Sequence, residues 1–457
     1  MVGRLEDMPV SPLDYRYGRD EAKEIWSREG RHARLLEVER ALIWAHSKMG
    51  KVSPEDYDAI ADIADPGIVT ADRVDELEVE TKHDIMALTK AMAEAAGEAG
   101  WCVHLGATSN DIVDSAVAIQ IKDSIRVQDL SIRSLILTMC DIAEREKSTV
   151  MLGRTHGQAA VPITFGLKVS VWVDEFKRHL DRLEEITVRC TTGKFLGAVG
   201  TGAAQGERAV ELQGLVMENL GLNVPVATTQ VVGRDRYIEW VGWMANVATS
   251  IEKVLQEVRN LQRTEIAEVS ESFDEKKQVG SSTMAHKKNP ITAENACGLA
   301  RIVRSMITPS YENALLWHER DLANSSSERF TLSHSMIILD DIIHKCDKVL
   351  SGMAVNRERM AANLESQGGL IMAEKIMLEL VDRGMPRDVA HEELRRASME
   401  AVDKGKNLEE VCKRYDSING LIGVDELSDF FDPRSHLGSS EMIVENAIAI
   451  ARARCSE

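Results

Sequence analysis

Residues 272–289 bring hydroxyl, amine and amide side chains together in one segment, SFDEKKQVGSSTMAHKKN, which lacks the apolar period of a helix or a strand. Segments of this length in compact domains are usually lids or binding loops. Gly280 gives the backbone freedom, and Ser281 and Ser282 supply hydroxyls. The lysines that follow lead into Pro290, which suits the first position of a helix, and a helix N-terminus flanked by lysines attracts anions. The segment is therefore a candidate anion-binding loop, although a solvated basic linker has the same features.

Two histidines stand in polar motifs where an acid or a base could act. His156 lies in GRTHG, ahead of a helical apolar pattern, and His83 lies in TKHD at the head of another. Histidine is the side chain whose ordinary pKa is closest to neutrality, so either ring could transfer a proton. Each could also be a structural group with satisfied hydrogen bonds, and the motifs alone leave both interpretations open.

Two further blocks could bind anions. In HLGATSND, residues 104–111, Thr108 and Ser109 are natural caps for the helical pattern that follows, and an ordinary cap is the simpler interpretation. In WHERDLANSSSER, residues 317–329, Arg320 and Arg329 could hold a phosphate or a carboxylate, or could pair with the abundant acids. Neither block decides between these roles by itself.

The spacing of prolines and apolar residues predicts long helices that would position these groups. Ten prolines leave proline-free spans at 67–161, 226–289 and 310–385, each long enough for helices well above average length. From Trp240 to Leu261 apolar residues recur in alternating steps of four and three, which predicts a bundle helix buried on several neighbours or at a subunit interface. Strand signals are scarce, so the predicted fold class is all-α.

Composition along the chain predicts three domains. Residues 1–108 are polar and charged, residues 109–355 hold the longest helical patterns, and residues 356–457 show shorter helices punctuated by glycine. A chain of 457 residues can bury a large core without disulfides or a structural metal. We expect an N-terminal helical domain, a central long-helix bundle and a C-terminal helical domain.

Charge and cysteine content exclude several classes of partner. The 74 acidic and 55 basic residues give a formal charge of −19, which repels nucleic acid and anionic lipid. Seven cysteines without a Cys-x-x-Cys pair argue against a secreted disulfide framework, and neither a long apolar run nor a basic leader occurs. We expect a cytoplasmic protein with no nucleic-acid or membrane partner. The motifs HExxH, GxxxxGK[ST] and GxSxG are also absent from the sequence, and we expect no metal and no cofactor.

Taken together, these blocks resemble a known family. GSSTMAHKKNP at 280–290 is similar to the signature loop of the fumarase/aspartase superfamily, all-α homotetrameric lyases that eliminate fumarate. The chain resembles the adenylosuccinate lyase family of that superfamily along nearly its whole length, in DYRYGRDEAKEIW, TKHDIMALTKAM, LGATSNDIVD, GRTHGQAAVPITFGLK, TTQVVGRDRY and LLWHERDLANSSSER. One departure is Ala285, which stands where the signature loop usually has proline.

The resemblance implies a three-domain fumarase/aspartase-like fold with a long central helical bundle. It also implies β-elimination of fumarate from adenylosuccinate, giving AMP, and from the related succinyl-carboxamide ribotide, in a homotetramer whose sites are shared between chains. Elimination needs a base, an acid for the leaving nitrogen and an anion cradle. By resemblance Ser281 is the base and His156 is the acid. Glu294 matches the position that orients His156, and His83 matches a second histidine near the substrate.

The resemblance further implies which residues bind the purine nucleotide substrate. Thr108 and Ser109 match carboxylate binders at a helix start. The other matched positions are Arg16, Tyr17, Lys82, His83, Asp84, Gln230, Ser282, Lys287, Asn289, Arg320, Ser325 and Arg329. Cations that converge from distant segments would let an acidic protein hold a multiply anionic nucleotide.

Three alternatives stay open at this point. 3-carboxymuconate cycloisomerase and argininosuccinate lyase belong to the same superfamily and share the loop, although TKHD and the 317–329 block favour adenylosuccinate. From a different class, the chain could be a catalytically silent helical scaffold, which the presence of Ser281, His156 and Lys287 argues against.

Overall fold

The structure, a computed structural model, describes residues 9–272, 284 and 287–457. Helices dominate these residues, which confirms the predicted all-α class. The first helices are α1 (Pro12–Tyr15), α2 (Asp20–Trp26), α3 (Arg28–Lys48), α4 (Pro54–Ile63), α5 (Ala71–Thr81) and α6 (Asp84–Ala96). The next are α7 (Ser109–Arg145), α8 (Phe165–Cys190), α9 (Ala209–Leu220), α10 (Asp235–Leu261), α11 (Ile291–Ser305), α12 (Ile307–Glu312), α13 (Ala323–Thr331) and α14 (Ser333–Ser351).

The C-terminal part consists of shorter helices, as predicted. They are α15 (Arg357–Glu365), α16 (Ala373–Asp382), α17 (Arg387–Lys404), α18 (Leu408–Cys412), α19 (Asp416–Asn419), α20 (Val424–Phe430) and α21 (Ser440–Ser456). Single 3₁₀ turns lie at Gly97–Cys102, Ala203–Arg208, Leu370–Met372 and Pro433–His436. The strands are β1 (Val150–Thr155), β2 (Gln158–Thr164), β3 (Val269–Ser270) and β4 (Ala354–Val355), and β3 pairs with β4.

The longest helices confirm the prediction from proline spacing. Helix α7 has 37 residues and α10 has 27, and both lie inside predicted proline-free spans. The predicted apolar stripe of α10 is buried, since Met244, Val247, Ile251 and Val258 have no exposed surface. Helix α10 is therefore uninterrupted and buries its apolar stripe, as the alternating steps of four and three predict.

The chain divides into two compact units. The first unit comprises the described residues up to Ile132 together with His179–Glu252 and Gly298–His344. The second unit comprises Arg133–Arg178, the described part of Lys253–Cys297, and Lys345–Glu457. The boundary falls within α7, α8, α10, α11 and α14. The three domains expected at 1–108, 109–355 and 356–457 stay a prediction.

Each unit has its own apolar core. In the first unit, α3 packs against α9 and α4, and the core includes Leu42, Leu88 and Ile112. In the second unit, α16, α17 and α18 enclose a core that includes Ile376 and Val411. Residues of these cores are almost fully buried, so apolar burial is the main stabilising contribution in both units.

A β-hairpin in the second unit was not predicted from the sequence. Strand β1 pairs antiparallel with β2 from Val150↔Thr164 to Thr155↔Gln158, with an irregularity between Leu152 and Arg154. The two residues of the turn, His156 and Gly157, have positive φ angles of 54° and 75°, as the twist of a two-residue hairpin turn requires. His156 is thus carried at the exposed tip of the hairpin.

Candidate active site

A pocket of about 510 Å³ in the first unit brings together residues from five of the sequence blocks. Seven of the predicted substrate-binding residues line it, namely Lys82, His83, Asp84, Ser109, Arg320, Ser325 and Arg329. They come from the α5–α6 junction, the start of α7, the segment that leads into α13, and α13 itself. Motifs up to 247 positions apart in the sequence, from Lys82 to Arg329, therefore contribute residues to one pocket.

His83 caps helix α6 and lies at the head of that helix, where the TKHD motif placed it. Its Nδ1 atom accepts a hydrogen bond from the backbone N–H of Met86 at 3.4 Å, and its backbone is extended. The preceding Lys82 is left-handed, with φ of 55°, and its N–H closes α5 by donating to Glu78 O. Because Nδ1 accepts, the neutral ring carries its proton on Nε2, which lies 3.5 Å from Ser109 Oγ. His83 therefore offers an N–H donor to the pocket.

The start of α7 is fixed by a buried ion pair. Asp111 accepts the backbone N–H of Thr108 at 2.8 Å and that of Gly197 at 3.3 Å, and it also binds Lys194 Nζ. The side chains of Asp111 and Lys194 are 1% and 0% exposed. Burial raises the pKa of Asp111, and the positive charge of Lys194 opposes that rise. Asp111 is thus an interior charge that holds the backbone of Thr108 at the start of α7.

A second buried network, which sequence reasoning missed, holds α13 against α7. Arg234 forms two hydrogen bonds with Asp114, at 2.8 and 3.0 Å, and bonds Glu328 at 2.8 Å. Glu328 in turn accepts a bond from the amide of Asn324 at 2.8 Å. Arg234, Asn324 and Glu328 all line the pocket, close to Ser325 in α13. Asp111 and Asp114 lie three residues apart on one helix face, which indicates that cations lie nearby but does not identify them.

Gln230 lies beside the pocket rather than in its lining. Its side-chain oxygen accepts a hydrogen bond from Arg320 Nη1 at 2.9 Å, and its side-chain N–H donates to Ala198 O at 3.0 Å. The buried Nε of Arg320 makes no hydrogen bond within the part of the chain that the structure describes. Gln230 therefore aims Arg320 while leaving its guanidinium with unused donors.

The lining of the pocket is positive although the chain is acidic. Six arginine and lysine side chains line it against three carboxylates, in a chain with a formal charge of −19. Among the described residues, Lys82 and Arg320 form no ion pair. Such a local excess of cations in a cleft concentrates anionic ligands.

Arg16 and Tyr17 are placed apart from the pocket lining. Arg16 caps α1 with its backbone N–H and is exposed, and its guanidinium lies 5.9 Å from the centre of the Tyr17 ring. Neither residue is among those that line the pocket of the first unit.

In the second unit, a buried ion pair anchors the hairpin that carries His156. Arg154 forms two hydrogen bonds with Glu268, at 2.9 and 2.7 Å, and the Glu268 side chain has no exposed surface. Asn363 donates a further bond to Glu268 at 2.8 Å. A planar guanidinium on a carboxylate fixes orientation as well as distance. Arg154 is two residues from His156, so the network sets the position of the hairpin tip.

Helix α11 is capped by a side chain that the sequence did not reveal. The carboxylate of Glu271, which is 8% exposed, accepts the N–H groups of Thr292 and Ala293 at 3.1 and 3.2 Å. The helix N-terminus expected to attract a substrate anion thus already holds an internal carboxylate. The predicted residues nearby are Lys287, which is exposed, Asn289, which is half-buried, and Glu294, which lies 4.0 Å from Arg259.

Ser281, Ser282 and Ala285 lie outside the described residues. The predicted base, the second loop hydroxyl and the departure from the signature loop therefore all stay predictions.

Backbone strain is concentrated in the sequence blocks. Five described residues other than glycine have a positive φ, and four of them, Lys82, His104, His156 and His318, lie in four of the five polar blocks. The left-handed conformation costs a side-chain-bearing residue about 1–2 kcal/mol. Proteins retain such strain mainly at functional sites.

The described residues contain neither a metal-ligand cluster nor a membrane-spanning helix. No group of three or more His, Cys, Asp or Glu side chains among them could hold a metal ion. No helix of the described part of the chain is long and apolar enough to cross a membrane.

Comparisons with known proteins agree with the blocks. A family model described as "Lyase" matches residues 14–305, and one described as "Adenylosuccinate lyase C-terminus" matches residues 369–447. Adenylosuccinate lyase from Pyrococcus abyssi is 45% identical over 441 residues, 96% of this chain and 98% of that protein. A crystal structure of fumarate lyase from Mesorhizobium sp. BNC1 has a TM-score of 0.88 and 30% identity, covering 96% of this chain and 100% of the other. A structure of 3-carboxy-cis,cis-muconate lactonizing enzyme from Pseudomonas putida has the same TM-score with 28% identity, covering 97% and 99% of the two chains.

Proposed function

The chain belongs to the adenylosuccinate lyase family, and we propose that it performs this family's reaction with the pocket of the first unit as its anion-binding part. It is a carbon–nitrogen lyase of purine nucleotide synthesis, which eliminates fumarate from adenylosuccinate and leaves AMP. The observation that carries this conclusion is the 45% identity to an adenylosuccinate lyase over 96% of the chain. We further propose that the succinyl-carboxamide ribotide is cleaved by the same chemistry.

The relatives do not favour the alternatives within the superfamily. Identity to the muconate lactonizing enzyme is 28%, against 45% to the adenylosuccinate lyase, at similar coverage of this chain. Argininosuccinate carries no phosphate, whereas the lining of the pocket holds more cations than carboxylates and suits a phosphate-bearing ligand. A catalytically silent scaffold would have no use for a pocket whose lining is opposite in sign to the whole chain.

The pocket suits the charge of the substrate. Adenylosuccinate carries a phosphate and two carboxylates, and elimination adds negative charge to the carboxylate next to the carbon that loses its proton. We propose that Lys82, Arg320 and Arg329 bind these anionic groups and that His83 and Ser109 donate hydrogen bonds to them. Fixed donors in a cleft stabilise such charge more than water does, because they need no reorganisation as the charge forms.

For the chemical step we propose Ser281 as the base and His156 as the acid that protonates the leaving nitrogen. The anchored hairpin supports this role for His156, since a general acid must be held within hydrogen-bond reach of the atom it protonates. Glu294 is proposed to orient His156. Lys287, Asn289 and Ser282 are proposed to bind the succinyl carboxylates together with Thr108.

The remaining substrate contacts are proposed to come from several chains of a homotetramer. Arg16, Tyr17, Gln230 and Ser325 are assigned to the nucleotide by resemblance. Apolar residues that α7 and α8 leave exposed in the single chain support assembly, among them Leu130 and Val171 at 61% and 56% exposure. We also propose a cytoplasmic location, which fits a chain whose seven cysteines, all described, form no disulfide.

A spectrophotometric assay with adenylosuccinate tests the function directly. We expect loss of substrate with equal release of AMP and fumarate, identified by chromatography. Release of fumarate from argininosuccinate but not from adenylosuccinate would overturn the assignment. Release from neither substrate would favour the scaffold.

Two substitutions test the chemical roles. Ser281→Ala and His156→Ala should each lower kcat by about 10²–10⁴-fold, the usual contribution of a general base or acid. His391→Ala is the matched control, because His391 is an exposed histidine of α17. Near-normal turnover by either active-site variant would remove that residue from the mechanism.

A further inference from the structure

Arg31 reaches the pocket from α3, and no sequence motif assigned it a role. Its Nη2 atom lies 3.4 Å from Asp84 Oδ2, and Nη2 of Arg329 lies 3.9 Å from the same oxygen. Arg31 and Asp84 are both 34% exposed, and all three residues line the pocket. Two guanidinium groups from separate helices thus converge on one carboxylate oxygen at the pocket wall.

Asp84 is held in place by its own helix. Its Oδ1 atom accepts the N–H of Ile85 at 2.8 Å in the first turn of α6, where a negative charge is favoured. Only Oδ2 faces the two arginines. Charge-assisted hydrogen bonds are normally about 2.7–2.9 Å long, so both contacts are loose and leave donors of each guanidinium unused. One carboxylate charge between two cations also leaves one positive charge in excess.

We propose that Arg31 binds the phosphate of the substrate together with Arg329, and that Asp84 positions both arginines without touching the substrate. The inference rests on the proposed function, which supplies a phosphate-bearing ligand. Two forked guanidinium groups match the several oxygens of a phosphate dianion. Asp84 is a poor direct partner for the substrate, since a carboxylate repels the phosphate and both succinyl carboxylates.

Arg28 shows why Arg31 is singled out. It lies one turn earlier on α3 and lines the same pocket, yet its guanidinium already binds Asp72 at 2.8 Å and also binds Asp75 and Glu29. Three carboxylates more than neutralise one guanidinium. Arg28 is therefore a matched control of the same residue type on the same helix.

The experiment compares Arg31→Gln with Arg28→Gln in the full-length protein. For Arg31→Gln we expect KM for adenylosuccinate and the inhibition constant of AMP to rise about 10- to 100-fold, the range for losing a hydrogen bond to a charged group. The inhibition constant of fumarate, which has no phosphate, should change less than about twofold, and kcat less than about threefold. Arg31→Lys should recover part of the loss, because it restores the charge without the fork.

Three results would overturn the proposal. Equal weakening of AMP and fumarate binding would mean that Arg31 acts on the whole pocket rather than on the phosphate. An equal effect of Arg28→Gln would mean a general loss of positive charge, and a fall in kcat at constant KM would mean a role outside binding. Calorimetry with AMP and with inorganic phosphate repeats the test without turnover, so failure of the proposed reaction is distinguishable from failure of this inference.

Asp84→Asn gives a test by sign. Removal of a negative charge from the pocket would by itself strengthen binding of an anion. If Asp84 positions Arg31 and Arg329, the variant should instead bind AMP more weakly, by about 3- to 10-fold, the effect of losing an ionic hydrogen-bond acceptor. Tighter binding of AMP by Asp84→Asn would refute the positioning role.

Discussion

Replacement of Lys194 by methionine removes the cation that binds the buried carboxylate of Asp111. Loss of one partner of a buried ion pair usually costs about 3–5 kcal/mol, because the other charge is left uncompensated. Asp111 keeps its bonds from the backbone N–H groups of Thr108 and Gly197, so we expect the lower end of that range. The entropy of unfolding is about 2 cal/mol/K per residue, or about 1 kcal/mol/K for the whole chain, so the melting temperature should fall by about 3 °C.

The stability lost in the Lys194→Met variant should depend on pH. Burial already raises the pKa of Asp111 against the opposing charge of Lys194, so the pKa in the Lys194→Met variant must rise further. A carboxyl group whose folded pKa exceeds its unfolded pKa takes up a proton on folding, and stability then increases as pH falls through the folded pKa. Urea unfolding of the variant should therefore show a smaller deficit against wild type at pH 5.5 than at pH 8.

Two controls complete this test. Lys122→Met makes the same substitution at an exposed lysine of α7 that donates only to backbone carbonyls, and it should cost less than about 1 kcal/mol. Adding Asp111→Asn to Lys194→Met removes the stranded charge and should recover most of the stability. A deficit for Lys194→Met below about 1 kcal/mol, or one that is the same at both pH values, would refute the reasoning.

Three other predictions follow from the same coordinates. Burial lowers the pKa of His104, but the charge of Glu39, 2.6 Å away, outweighs this effect and raises that pKa. Wild type should therefore have a higher unfolding free energy than His104→Gln, with the full difference below about pH 6.5 and none once pH has risen through the folded pKa. A difference that stays constant with pH in urea titrations would contradict this. Arg154→Gln should lower kcat by about 10-fold at similar KM in steady-state kinetics, because the hairpin tip loses its ion pair with Glu268. An unchanged kcat would mean that other contacts hold the tip. Cys455 should react with a thiol reagent long before the other six cysteines, because those six are buried. Burial raises the pKa of the Cys190 thiol, for example, to about 12. Fast labelling at several positions in the native protein would contradict this burial.

Local features of the fold could be predicted because their causes are local. The proline-free spans and the stepped apolar residues specify α7 and α10, and the polar residues ahead of the apolar patterns mark where α6 and α7 begin, at His83 and Ser109. The hairpin that carries His156 could not be found in this way. Its strands are short, Pro162 interrupts the second, and its turn is defined by positive φ at a histidine, which composition does not signal.

The sequence predicted which residues lie in the candidate site, but not the buried networks that hold them in place. The motifs identified residues that the pocket does bring together, such as Lys82 and Arg320. They did not reveal Arg234, because a single arginine in a polar loop has no local sign that it will be buried between two carboxylates. Such pairing depends on contacts between residues far apart in sequence, and a single sequence contains no record of them.

The two carboxylates at the beginning of α7 have a consequence for how the chain folds. Asp111 is neutralised by a lysine 83 positions later and Asp114 by an arginine 120 positions later. During synthesis, α7 would emerge from the ribosome with both charges unmatched, so its first two turns should stay hydrated until residues 194–234 arrive. Contacts over such separations are slow to form, because a long loop must close, at a cost in entropy, before they can stabilise the chain. We therefore expect the beginning of α7 to become protected from hydrogen exchange later in refolding than its middle.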